Sequence, residues 1–109
     1  MAVQEKQKIA VSIYSDEQAV KVIKKLTTPE VFTLNHMKGI ESRGGHSTVI
    51  ELKKEFKSYG YNETVFKQVR DSFESKGLIE TSPNHVDILL TKRGLDLAKK
   101  FSDLFGNKR

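Results

Sequence analysis

The hydrophobic positions of this chain change period several times, and each change marks an element. Ile9, Val11 and Ile13 alternate with other residues, as in a short strand or an arm packed on a neighbour. From Ser15 the period becomes helical. In "SDEQAVKVIKKLTT", Ala19, Val20, Ile23 and Leu26 form one stripe, with Ser15 at the N-cap and Asp16 and Glu17 complementing the positive end of the helix dipole. "TTPEVFTLNHMKGIESRGG" starts a second helix. Thr28 is its expected cap, with Pro29 at the first helical position, where a missing N–H is harmless, and Gly44-Gly45 ends it.

"HSTVIELKKEFKSYG" opens with Thr48 and Glu51 at capping-box spacing, and Val49, Leu52, Phe56 and Tyr59 recur at helical intervals. "GYN" breaks this helix, and Asn62 is the expected cap of the next, residues 63–76, whose inner face carries Phe66, Val69 and Phe73. Gly77 follows as the left-handed residue past a helix end. "LIET" and "VDILLT" suit strands, with the turn residues "SPNH" between them. Thr91 then caps a last helix in which Leu97, Ala98, Phe101, Leu104 and Phe105 share a stripe. The predicted order is four helices, a hairpin and a helix: mainly α with a small β-hairpin, an α+β chain.

Two helices with a tight break between them, followed by a hairpin, is the element order of a winged helix-turn-helix. The second helix of the pair can lie in the major groove, where every base pair shows a distinct donor and acceptor pattern, while the hairpin reaches the neighbouring backbone or the minor groove.

Composition narrows this reading. At 109 residues the chain is expected to be a single domain, 15–109, preceded by an N-terminal arm, 1–14. With 37% hydrophobic and 30% charged residues its core is modest, so help from a second subunit is reasonable. Cysteine is absent, which removes disulfide and thiolate chemistry. No apolar run approaches the ~18 residues of a membrane span, and "MAVQEKQKIAVSIYS" lacks the apolar centre of a signal peptide, so a cytoplasmic location with no membrane partner is expected. The net charge of +5 favours a polyanionic partner.

Catalytic chemistry finds little support. His36, His46 and His85 share no metal-ligand spacing, Gly44-Gly45 lacks the Lys-Ser/Thr of a phosphate loop, and no serine sits in a nucleophile elbow. Neither an enzyme nor a metal or other cofactor is expected.

The run "FESKGLIE…VDILLTKRGLDLAKKF" resembles the signature of small prokaryotic winged-helix DNA-binding proteins of the broad MarR, ArsR and PadR type. Phe73 and Gly77 match a recognition-helix packing residue four before a glycine. Gly77, Leu78 and Ile79 match the start of the wing, and Leu90, Thr91 and Gly94 match the passage from wing to final helix. The resemblance covers roughly residues 46–105. It departs from the pattern in a longer "KKEFKSYGYN" turn, in Arg70 where the family commonly has an aliphatic residue, and in a short wing tip without arginine. "TVFKQVRDSF" followed by "GLI" is also similar to winged-helix centromere-binding proteins of tubulin-type plasmid partition systems. That likeness implies dimers clustered on repeated sites and recruitment of a motor protein.

With Phe66, Val69 and Phe73 inward, helix 63–76 presents Thr64, Lys67, Gln68, Asp71 and Ser75 outward. Thr64, Lys67 and Gln68 are the expected base-edge contacts. Gln can pair with adenine and Lys with guanine, and Val65 at the boundary can meet a thymine methyl or form a core rim. Asp71 opposes phosphate unless it meets a cytosine amine or a nearby lysine.

Expected backbone contacts are Ser47 and Thr48 at a helix N-terminus, Lys53, Lys57 and Arg70, Asn84 and His85 in wing 80–90, and Lys92 and Arg93 at its base. Each has a plain structural alternative: a cap for Thr48, a solvated face for the lysines, an acid partner for Arg70, turn chemistry for Asn84. Leu97, Phe101, Leu104 and Phe105 are expected at a homodimer interface, which would set two recognition helices about one duplex turn apart on a pseudo-palindrome. The function expected is a homodimeric, sequence-specific double-stranded DNA-binding transcription regulator. A plasmid-partition adaptor, or a winged helix that binds another protein, is the alternative.

Overall fold

The computed structural model describes residues 13–105. The alternating Ile9 and Val11, and the N-terminal arm apart from Ile13 and Tyr14, lie outside the described residues. Five helices and three short strands follow in the order α1 (Asp16–Lys24), α2 (Thr28–Ser42), β1 (Ser47–Thr48), α3 (Val49–Ser58), α4 (Glu63–Ser75), β2 (Ile79–Thr81), β3 (Asp87–Leu90) and α5 (Lys92–Phe105). The chain is thus mainly helical with a small antiparallel sheet.

Side-chain caps start the helices. Ser15 accepts from the Gln18 N–H at 3.2 Å and Gln18 Oε1 accepts from the Ser15 N–H at 3.0 Å, closing a capping box on α1. The cap of α2 is Thr27, not the expected Thr28. Glu30 lies three residues beyond Thr27 and accepts from the Thr27 N–H at 2.8 Å, so the reciprocal pair selects Thr27 and moves Pro29 one place into the first turn. This bond also gives the largely buried Glu30 carboxylate a partner. Thr48 accepts from the Glu51 N–H at 3.1 Å, and Asn62 from the Val65 N–H at 3.0 Å. Thr91 accepts from the Gly94 N–H while its own hydroxyl donates to the Gly77 carbonyl, tying the start of α5 to the end of α4.

The sheet has three strands in the order β1-β3-β2. Ile79 faces Leu90 and Thr81 faces Ile88 in the hairpin, and Ser47 and Thr48 pair with Ile88 and Asp87 on the other edge of β3. The hydrophobic pattern does not reveal β1, because two residues cannot show an alternation. β1 exists because the segment after α2 is brought alongside β3.

One core joins these elements through Leu34 and Met37 of α2, Leu52 and Phe56 of α3, Phe66, Val69 and Phe73 of α4, Leu78, Ile79, Ile88 and Leu90 around the sheet, and Leu97 and Ala98 of α5. The closest approach is at Gly94, where an added Cβ would lie 2.1 Å from the Leu78 carbonyl oxygen, so only glycine lets α5 start against the sheet. Lys100 links α5 to the opposite end of the fold. Its ammonium donates to Asp96 at 2.6 Å and to the Tyr14 carbonyl at 3.0 Å, and the Asp96 bond raises its pKa above the usual lysine value.

Two expected inward positions differ. Tyr59 is 62% exposed, because α3 has ended there and the helical phase no longer applies; its ring lies on Phe32, 4.5 Å between centroids. Leu97 is 0% exposed, packed inside the chain's own core, so it is removed from the expected dimer interface. The apolar stripe of α5 is covered over its first turns and runs past the rest of the protein in its last. Phe101 is half-buried, and Leu104 and Phe105 are each 45% exposed. No helix among the described residues is long and apolar enough to cross a membrane.

Candidate functional site

α3 and α4 meet through the Phe56 and Phe66 rings, 5.2 Å apart and nearly perpendicular. Beside this contact lies an open groove of about 390 Å³, with Phe56, Tyr61 and Phe66 on its walls and Lys53, Lys54 and Lys57 along the α3 side. A second hollow of about 420 Å³ shares Lys53, Glu63 and Phe66 with it and continues along α4 past Thr64 and Lys67 to Arg70 and Asp71. The two form one trough along the outer side of the helix pair.

The structure exposes Thr64, Lys67, Gln68, Asp71 and Ser75, the face that the helical period places outward, and leaves Val65 half-buried against the core. Charge on this face is internally satisfied. Lys67 pairs with Asp71 at 3.2 Å, and Arg70 with Glu74 at 3.7 Å. Glu74 also accepts from the Thr81 hydroxyl at 3.2 Å, which fastens β2 to the C-terminal half of α4. With Glu63, α4 carries three acids against Lys67 and Arg70. On α3, by contrast, Lys53, Lys54 and Lys57 are exposed and form no ion pair among the described residues; the Lys53 ammonium stands 5.7 Å from the centre of the Phe66 ring.

The expected backbone contacts divide in the same way. Lys53, Lys57 and Lys92 are on the surface, and Thr48 is half-buried in its capping role. Asn84 and His85 stand exposed in the β2–β3 turn. Asn84 Oδ1 accepts from the Val86 N–H at 3.1 Å, and His85 takes a left-handed backbone with φ of 63°.

Two expectations are corrected. Ser47 is 1% exposed, turned into the core by its pairing in β1, and its hydroxyl has no hydrogen-bond partner and no route to a phosphate. Arg93 is committed inside the protein: it donates to the Lys76 carbonyl at 2.9 Å and lies over the Tyr14 ring at 4.6 Å. Arg70 takes the acid partner rather than standing free.

Ile50 is the residue that the pattern of stripes passes over. It falls outside the Val49, Leu52, Phe56 spacing, stands 69% exposed, and lines the groove beside the lysines. An isoleucine on the polar side of an amphipathic helix is the signal that marks it. His46 and Asp87 meet across β1 and β3 at 3.1 Å, a pairing that only the strand register creates. Among the described residues no group of three histidine, aspartate or glutamate side chains is arranged to hold a metal ion. Compared with protein-family models, curated proteins and solved structures, the chain matches none.

Proposed function

We propose that the chain is a winged-helix protein that binds double-stranded DNA in a sequence-specific manner as a homodimer, and that it regulates transcription. The observation that carries this reading is the trough between α3 and α4, where the polar outer face of α4 lies beside the unpaired lysines of α3. The element order from α2 through β1, α3, α4, β2 and β3, with β3 at the centre of the sheet, supports the winged-helix assignment.

In this reading α4 enters the major groove with Thr64 and Gln68 on base edges, and Val65 toward a thymine methyl. Lys67 joins them by leaving Asp71, which is inexpensive because an exposed i,i+4 pair is worth only about 0.3–0.5 kcal/mol. Lys53, Lys57 and the Thr48 end of α3 take phosphates, with Lys54 beside them, while Asn84 and His85 carry the wing to the next stretch of backbone. Leu104 and Phe105, with Phe101 behind them, pair the protomers.

The acids of α4 favour a second reading, in which the same face meets a protein. Fluorescence anisotropy separates the two. The full chain is titrated into a labelled duplex from upstream of its own gene and into a scrambled duplex, across a range of salt. A dimer engaging about six phosphates gives a log–log salt slope of about −5. The upstream duplex is expected to bind on the order of a thousandfold more tightly than the scrambled one. Equal binding to both overturns sequence specificity, and no binding to either overturns the DNA reading.

A further inference from the structure

The trough has an apolar floor that phosphate contacts do not use. Phe56, Tyr61 and Phe66 line it, and Ile50 stands largely exposed at its edge. The three lysines on its α3 side face a single acid among the lining residues, Glu63. Phosphate needs only the cations. A ligand that fits the whole surface needs an apolar part and negative charge together.

We propose that this groove docks an acidic peptide segment of a partner protein. The segment sets a bulky apolar side chain against Ile50, Phe56 and Phe66, and flanks it with aspartate or glutamate toward Lys53, Lys54 and Lys57. Two features favour a peptide over a compact anion. Residues 50, 53, 54 and 57 form an i, i+3, i+4, i+7 row, a stripe about 10 Å long that matches two turns of a docked helix. The adjoining hollow then extends the trough along α4 to Arg70 and Asp71, farther than one small ligand spans. The lysines have no internal partner to give up, so an incoming carboxylate meets free ammonium groups. Because these cations also serve phosphate in the proposed function, peptide and duplex exclude each other. That consequence rests on the DNA reading, whereas the docking itself does not.

The test uses the full chain without DNA. The probe is a fluorescein-labelled peptide of about twelve residues, glutamate- and aspartate-rich, with one leucine and one phenylalanine a helical turn apart. Anisotropy is expected to give a Kd on the order of 10 μM that weakens with salt. Ile50→Ser is expected to weaken binding on the order of tenfold, as is replacing the two apolar peptide residues by serine. Lys54→Glu combined with Lys57→Glu removes binding. All three positions are exposed, so the variants keep the fold, which circular dichroism checks. No saturable binding overturns the proposal, and so does binding indifferent to Ile50→Ser and to the serine peptide, because that is charge attraction alone. A labelled duplex titrated in parallel keeps the two readings apart: peptide binding without duplex binding upholds the docking site and removes the DNA function.

Discussion

α3 and α4 are neighbouring amphipathic helices of 10 and 13 residues, both rich in charge, and they present opposite surfaces. The difference lies in spacing. In α3 the residue four beyond Lys53 is Lys57, and four beyond Glu51 is Glu55, so like charges share a row and the lysines stay unpaired. In α4 the residue four beyond Lys67 is Asp71, and four beyond Arg70 is Glu74, so each cation meets an acid one turn on. Both pairs run cation first, the weaker order on a helix, so they open readily. Two helices of similar make-up therefore divide one task. α3 attracts a polyanion at a distance, and α4 offers a nearly neutral face whose groups engage only on close contact.

The comparison rests on the two helices being held together, and the largest expected effect comes from breaking that. Phe56→Ala empties a fully buried site against Phe66 and is expected to cost about 3–5 kcal/mol in a urea titration. A loss below about 1 kcal/mol would mean that α3 is anchored elsewhere. Next in size is charge reversal on α3. Lys53→Glu, Lys54→Glu and Lys57→Glu together are expected to lower duplex affinity by about a hundredfold or more and to flatten the salt slope by about three per protomer, read by anisotropy. A comparable loss from Lys67→Ala alone would invert the division of labour.

A smaller change sharpens the contrast from the other side. Asp71→Asn frees Lys67 and is expected to raise duplex affinity roughly threefold while steepening the salt slope by about one. Unchanged binding would show that Lys67 does not reach the nucleic acid. The smallest effect is expected at Ser47. Removing its unpartnered hydroxyl with Ser47→Ala should leave stability unchanged or raise it by up to about 1 kcal/mol in the same urea titration, with duplex affinity unaltered. Weaker binding by this variant would restore Ser47 to the interface, against its burial.

Much of this molecule follows from local rules. The helical periods, the caps at Ser15, Thr48, Asn62 and Thr91, the glycine after α4 and the outward row of Thr64, Lys67, Gln68 and Asp71 depend on residues within a turn or two of one another. The charge rows of α3 and α4 are equally local. Where two nearby choices compete, as at Thr27 and Thr28, the local rule is short by one step, because the reciprocal bond from Glu30 decides.

Other features depend on which distant segments meet. Strand β1 is created by β3, and its register turns Ser47 into the core and sets His46 beside Asp87. The fold draws Arg93 to Tyr14 and Lys76, and buries Leu97 while leaving Leu104 and Phe105 uncovered on the same stripe. The groove edged by Ile50 exists only because Phe56 and Phe66 bring two helices together. By itself the sequence determined the elements, their order and the faces that helical period assigns. The tertiary structure decided which polar groups stay free to bind, because burial and pairing depend on neighbours far away in the chain.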